Sequence, residues 1–376
     1  MAKKVAQKPA VSKKATVDLS SGITKLQKEL RKADAEILKA INRRTALAQQ
    51  IAELGPPDSG LRLIEKDFQA NPAWTERHNR GPLSDLTVRA VFRELLSGCR
   101  SLLKKPRVAH LGPIYSYSHL AAIQRFGQSV EWVPVGTIAA VFEEVSCGHA
   151  DLGMVPIENS TDGRIADTLD MFTRLPMQIC GEVELPIHHA LLAKCPRGEI
   201  REVYSKPQAL SQCRDWLAKH VPAARPVEVT STSLAAELAA EKAGTAAIAS
   251  LEAGAHFGLN TLAEQIEDNP DNVTRFSIIG KETAEKTGND KTAIMFQLED
   301  RAGALAESLN IFKRNRVNLT WIESFPIPGS KRAYLFFVEM EGHQSDLPVR
   351  RATTALAKKT LQMKTLGSFA AIPPVE

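Results

Sequence analysis

With 376 residues, 43% of them hydrophobic and 24% charged, the chain is long enough for two or three modules with real apolar cores. No apolar run approaches the ~20 residues of a membrane span, and the first twenty residues lack the apolar stretch of a secretory signal. The net charge of +5 does not describe a nucleic-acid-binding face, because Lys3, Lys4, Lys8, Lys13 and Lys14 stand against Asp18 alone in residues 1–20, leaving +1 for the other 356. That segment reads as a disordered basic tail. The five cysteines are scattered, odd in number and never spaced CxxC. Neither disulfides nor a zinc site is expected, and a reducing, cytoplasmic setting fits.

From Ile23 to Leu54 the apolar residues Leu26, Leu30, Ala33, Ile37, Ile41, Leu47, Ala48 and Ile51 recur mostly at steps of three and four. That spacing predicts one long amphipathic helix, stopped by Gly55-Pro56-Pro57. A shorter helical stretch is expected over Leu61–Phe68, and Ser84-Asp85 caps a further helix carrying Val88, Phe92, Leu95, Leu96 and Cys99. So long a stripe cannot bury itself, so intertwined dimerisation is the natural expectation.

Beyond Lys104-Lys105-Pro106 short strands alternate with helices. Strands are expected at Arg107–Leu111, Trp132–Val135, Leu152–Pro156, Val183–Leu185, Val227–Thr230, Ala246–Ala249 and Ser277–Ile279. The alternation predicts an α/β module with mostly parallel sheets, large enough for two lobes around a cleft. From Lys291 onward the order is strand, helix, strand, strand, helix, strand, a ferredoxin-like α+β pattern.

Two turns could carry chemistry. Gly112-Pro113-Ile114-Tyr115-Ser116-Tyr117-Ser118-His119 follows the first α/β strand and opens a helix, offering free backbone N–H groups to a carboxylate. Taken alone, it is better read as a capped helix without a ligand. Val155-Pro156-Ile157-Glu158-Asn159-Ser160-Thr161 repeats the geometry at the carboxyl end of another strand, where open α/β sheets bind ligands.

Taken in order, these residues resemble the prephenate dehydratase family over about Pro106–Glu282. The matches include Gly112-Pro113, Ser116-Tyr117-Ser118, Val155–Ser160, Pro186-Ile187-His188-His189, Ser205-Lys206-Pro207-Gln208-Ala209-Leu210 and Asn272-Val273-Thr274-Arg275-Phe276. Tyr115 stands where the family usually has Gly, and Lys206 where it usually has His. The resemblance implies a two-lobed, periplasmic-binding-protein-like fold that removes carbon dioxide and hydroxide from prephenate without a cofactor or metal. It gives Thr274 the role of hydrogen-bond donor to the departing hydroxyl, a contribution of roughly 10²–10⁴-fold. Substrate binding falls to Ser116, Ser118, Glu158, Asn159, Ser160, Asn272, Arg275 and Phe276, although Arg275 could equally hold a structural acid.

Residues 21–104 resemble the all-helical chorismate mutase often fused ahead of this enzyme, with Arg44 matching one pocket arginine. Gln27, Gly55 and Leu103 stand where another arginine, a lysine and a glutamine belong, so a helical dimerisation module without mutase turnover is expected. Residues 290–370 resemble an ACT regulatory domain, matching its ligand motifs at Gly303-Ala304-Leu305 and at Glu323-Ser324, with Phe325 in place of the usual arginine. L-phenylalanine is the implied effector and a homo-oligomer, dimer or tetramer, the implied assembly. Arogenate dehydratase and a non-catalytic amino-acid-sensing protein remain open as alternative readings.

Overall fold

The computed structural model describes residues 13–54, 75, 77–327 and 334–372. The chain divides into two compact units, Met1–Ile64 and Glu65–Glu376. Within the first, α1 (Lys13–Leu54) is a 42-residue helix on which Ile23, Leu26, Leu30, Ile37 and Leu38 are exposed. It carries the expected apolar stripe and starts ten residues before Ile23. The stretch Leu61–Phe68 lies outside the described residues.

In the second unit, α2 (Asp85–Leu103) begins where the Ser84 hydroxyl accepts the Thr87 N–H, a serine N-cap as expected. The chain then runs through β1 (Arg107–Leu111), α3 (Tyr117–Phe126), β2 (Glu131–Val135), α4 (Ile138–Cys147), β3 (Leu152–Asn159), β4 (Gly163–Arg164), α5 (Ala166–Arg174) and β5 (Gln178–Pro186). It crosses into β6 (Ala190–Ala193), β7 (Glu202–Ser205), α6 (Pro207–Gln212), α7 (Arg214–His220), β8 (Arg225–Glu228), α8 (Thr232–Glu241), β9 (Thr245–Ala249), α9 (Leu251–His256) and β10 (Asn260–Ala263). A second crossing leads to β11 (Val273–Gly280), and β12 (Asp290–Gln297), α10 (Ala304–Asn315), β13 (Leu319–Pro326), β14 (Tyr334–Glu341), α11 (Leu347–Ala357) and β15 (Gln362–Ala370) complete the chain.

Three sheets result, ordered β2-β1-β3-β11-β5 with β4 on β3, β10-β6-β9-β7-β8, and β13-β14-β12-β15. The first two are the lobes, joined by the segments 187–189 and 264–272. The expectation of mostly parallel sheets needs correcting. β1 runs parallel to β2 and β3, and β7 to β8 and β9, but β11 is antiparallel to β3 and β5 and β6 is antiparallel to β9 and β10. Parallel neighbours require a crossover connection. Here the chain passes from lobe to lobe without a helix, so β6 and β11 enter their sheets running the opposite way.

The last sheet has the ferredoxin-like βαββαβ order expected for it. Its other face shares one core with the first lobe, in which Phe142, Phe172 and Ile179 pack with Met295, Phe337 and Phe369. Gly367 permits the approach: at φ 145° it lies against β5, and a Cβ there would stand 2.2 Å from the Ile179 carbonyl oxygen.

Candidate active site

The two turns singled out in the sequence leave the carboxyl ends of β1 and β3, which are neighbours in the first sheet. Pairing of β11 with β3 sets Thr274 opposite Asn159, and this brings the distant halves of the site together. Asn159 Nδ2 donates to Thr274 Oγ1 and to Asn272 Oδ1, each at 2.8 Å. Its orientation is fixed, because Asn159 Oδ1 accepts the backbone N–H groups of Thr161 and Asp162, both at 2.9 Å. With Asn159 donating to it, the buried Thr274 hydroxyl is an acceptor on that side and keeps its own proton for a further partner.

Ser160 ties the same two segments. Its hydroxyl donates to the Asp271 carbonyl at 3.2 Å and accepts the Val273 N–H at 2.9 Å, while its own N–H meets the Val273 carbonyl. It therefore holds the turn together. Ser116 is also engaged, as the N-cap of α3: it donates to Leu111 O at 2.7 Å and accepts the His119 N–H. The hydroxyl of Ser118, buried in the first turn of α3, makes no hydrogen bond among the described residues. Tyr115 is left-handed at φ 60°, a conformation that glycine adopts more easily. Its ring stacks on His256 of the second lobe at 4.5 Å, and nearby Ser233 donates to Ile114 O at 2.6 Å, so the lobes touch at this turn.

Arg275 and Phe276 are both engaged within the protein. The Arg275 guanidinium donates to Glu339 at 2.7 and 2.8 Å, to Glu158 at 3.1 and 3.2 Å and to Glu182 at 3.4 Å, and it lies 5.0 Å from the Trp321 ring. Of the two partners left open for it, a structural acid is the one it has. Burial opposes its charge, but the Glu339, Glu182 and Glu158 carboxylates outweigh burial and hold its pKa above the ordinary arginine value. Glu158 is thereby drawn into this cluster. Phe276 packs with Val108, Phe126 and Ile278 in the core of the first lobe; alternation along β11 sets it on the same face as Thr274, one step further from the start of the strand.

Gln212 was missed. At the end of α6 it accepts from Asn272 Nδ2 at 3.1 Å, faces His189 Nε2 at 3.1 Å and donates to Asp162 at 3.3 Å. Gln212 lies two residues beyond the Ser205–Leu210 match, and nothing in periodicity marks a glutamine at a helix end. His188, His189, Tyr117 and Glu267 complete the polar hinge: Glu267 accepts from the His189 N–H at 2.8 Å and meets His188 Nδ1 at 2.7 Å.

Gly303 is left-handed and N-caps α10, Ala304 is buried beneath it, and Leu305 is partly exposed. Glu323 and Ser324 lie on the edge strand β13, and Glu323 pairs with Arg164 of β4 at 3.0 Å. Phe325, in the arginine position, packs against the core shared with the first lobe. Arg44 lies on α1; Gly55 lies outside the described residues. No cluster of three or more potential metal ligands occurs among the described residues.

The prephenate dehydratase family profile matches residues 108–284. A bifunctional chorismate mutase/prephenate dehydratase of Aquifex aeolicus is 39% identical over 356 residues, covering 92% of this chain and 97% of its own. The protein of the same description from Pseudomonas aeruginosa is 38% identical, with 89% and 94% covered. Among solved structures, a prephenate dehydratase of Arthrobacter aurescens in complex with L-Phe superposes with a TM-score of 0.66 at 35% identity, over 72% of this chain and 92% of that one.

Proposed function

This chain belongs to the bifunctional chorismate mutase/prephenate dehydratase family, and on that footing we propose that its cleft converts prephenate to phenylpyruvate, carbon dioxide and water. The ring carboxylate leaves as carbon dioxide. The electron pair of the broken C–C bond moves through the ring, restores aromaticity and expels the ring hydroxyl, which becomes water on gaining a proton. Aromatisation supplies the driving force, so the protein's task is to assist the departing hydroxide. One observation carries the reading: Asn159 makes the Thr274 oxygen an acceptor, which leaves the threonine proton to donate to the substrate hydroxyl. A threonine is too weak an acid to give up that proton alone, so Thr274 acts by a hydrogen bond that strengthens as charge develops on the leaving oxygen.

Substrate carboxylates suit the N–H groups at the start of α3, with Ser118 as the hydroxyl still open to a partner. The N–H groups of Ser160, Thr161 and Asp162 after β3 are taken by Val273 and Asn159. Decarboxylation sets a constraint: firm pairing of the departing carboxylate would hold the ground state back, so the firm contacts belong to the side-chain carboxylate.

L-phenylalanine is the effector we assign to residues 290–370, supported by the L-Phe complex of the Arthrobacter relative. Its contacts would come from Gly303, Ala304, Leu305, Glu323 and Ser324, with a homo-oligomer as the working form and the cytoplasm as its setting. Residues 21–104 are the mutase-like part and 106–282 the dehydratase part. For the mutase-like part we propose dimerisation without chorismate turnover, since Gln27 and Leu103 cannot supply the missing cation and amide.

The test is to give the intact chain prephenate, arogenate and chorismate in parallel and identify the products. Phenylpyruvate from prephenate, with little phenylalanine from arogenate, supports the reading. Tight prephenate binding without turnover would replace it with a sensor, and prephenate formed from chorismate at enzyme-like rates would overturn the mutase assignment.

A further inference from the structure

The polar chain behind Thr274 runs in one direction, and its direction can be worked out from two fixed points. The first is Asn159, whose oxygen is identified by the backbone N–H groups it accepts, so its nitrogen faces Asn272 Oδ1. Asn272 must then turn its nitrogen to Gln212 Oε1, at 3.1 Å. The second fixed point is Asp162, a carboxylate that accepts only, at 3.3 Å from Gln212 Nε2. Flipping the Gln212 amide would set its oxygen against that carboxylate and its nitrogen against the Asn272 nitrogen. Both points agree that His189 Nε2, 3.1 Å away, faces a carbonyl oxygen.

Only an N–H can face a carbonyl oxygen, so His189 carries its proton on Nε2. Nδ1 is then the acceptor in the neutral ring, and its neighbour at 2.8 Å is the Tyr117 hydroxyl. Burial keeps this imidazole neutral by lowering its pKa, and burial likewise raises the Tyr117 phenol, which stays protonated and able to donate. The phenol has one proton and two acceptors within reach, the His188 carbonyl at 2.7 Å and His189 Nδ1, which share it, and Glu267 accepts the His189 backbone N–H.

The positions of these groups in the chain matter as much as their polarity. His189 lies in the first lobe-to-lobe crossing and Asn272 in the second, while Gln212 belongs to the second lobe. The hydroxyl of Thr274 is thus tied through Asn159 and Asn272 to both crossings and to the far lobe. We infer that His189 is a positioning residue for the dehydration: its Nε2–H fixes the Gln212 amide, and through Asn272 and Asn159 sets the direction in which Thr274 can donate. The inference rests on the dehydratase role proposed for Thr274.

The test uses the intact chain. His189→Phe keeps a ring but removes the donor, whereas His189→Gln returns an amide N–H near the Nε2 position. With prephenate, the Phe variant should lose about tenfold to a hundredfold in kcat with KM altered by less than about threefold, because a misplaced donor is felt in the transition state. The Gln variant should recover most of that loss. Nitrogen NMR of the wild-type chain labelled with [15N]histidine should show His189 protonated at Nε2 and bare at Nδ1 at neutral pH. A proton on Nδ1 alone, equal losses in the Phe and Gln variants, or a change confined to KM would overturn the inference. If the Phe variant fails to fold, the nitrogen signature and the Gln variant still decide. Thr274→Ala assayed beside them separates the two proposals. Full turnover in that variant removes the role of Thr274, whereas its loss beside an unaffected His189→Phe removes only the role of His189.

Discussion

Arg275 and Glu339 meet at 2.7 and 2.8 Å, although Arg275 follows Thr274 on β11 and Glu339 belongs to β14 of the C-terminal sheet. Glu158, Glu182 and Lys291 complete the cluster, so three carboxylates surround two cations. Burial raises the pKa of Glu339 even though Arg275 pulls the other way, as expected for a fully buried member of a group with one acid too many. Removing the Arg275 cation would leave Glu339 buried without its ion-pair partner, while Glu182 keeps Lys291. Arg275→Ala should therefore destabilise the second unit by about 3–5 kcal/mol, read from denaturant unfolding of the intact chain. A loss below about 0.5 kcal/mol, typical of surface substitutions, would show that the cluster is not structural.

The Arg164–Glu323 pair links β4, which pairs with Glu158 and Asn159, to the strand that carries the proposed effector motif. Both side chains are partly exposed, so the pair contributes at most about 1 kcal/mol to stability. Glu323→Gln should leave the unfolding midpoint almost unchanged while weakening inhibition by phenylalanine. An unchanged phenylalanine titration would remove Glu323 from the effector site.

His110 and His119 are stacked at 4.7 Å beneath the Gly112–Ser116 turn, and burial lowers each pKa to about 4. In the unfolded chain each takes its proton near the ordinary histidine value of about 6.5. Between those values the unfolded state binds protons that the folded state refuses, so stability is full above about pH 6.5 and falls as pH drops toward 4. His119→Gln should flatten that decline in a series of denaturant titrations across the window. An identical slope would place the acid sensitivity elsewhere.

Lys206 stands half-buried at the carboxyl end of β7, where it opens the helix that delivers Gln212 to the site. Prephenate and arogenate carry the same two carboxylates and differ in the side chain, where the ketone of prephenate is replaced by the ammonium of arogenate, so a nearby cation repels arogenate and favours prephenate. Lys206→Met should lower kcat/KM for prephenate more than for arogenate, by about tenfold in the ratio if the charges meet within the cleft. A ratio unaltered by the substitution would mean that Lys206 does not read the side chain.

Much of this was legible before the fold was known. Ser84 announced its helix through capping, the Gly112–His119 turn was read as opening another, and alternation located most strands within a few residues. Pairing of Asn159 with Thr274 could be anticipated only through family resemblance, since 115 positions separate them. Local patterns fail for residues whose meaning is tertiary. Arg275 shows an arginine beside a threonine and gives no sign of Glu339, which lies 64 positions away. Gln212 has no apolar period to mark it. The antiparallel entry of β6 and β11 depends on which lobe the chain enters next, a property that no short window contains.

The most direct measurement is the steady-state rate of the intact chain on prephenate, comparing wild type with Thr274→Ala and Thr274→Ser. If the threonine proton assists the departing hydroxide, the Ala variant loses roughly 10²–10⁴-fold in kcat and still binds prephenate, while the Ser variant keeps much of the rate. Weaker binding with unchanged turnover at saturation would contradict the account.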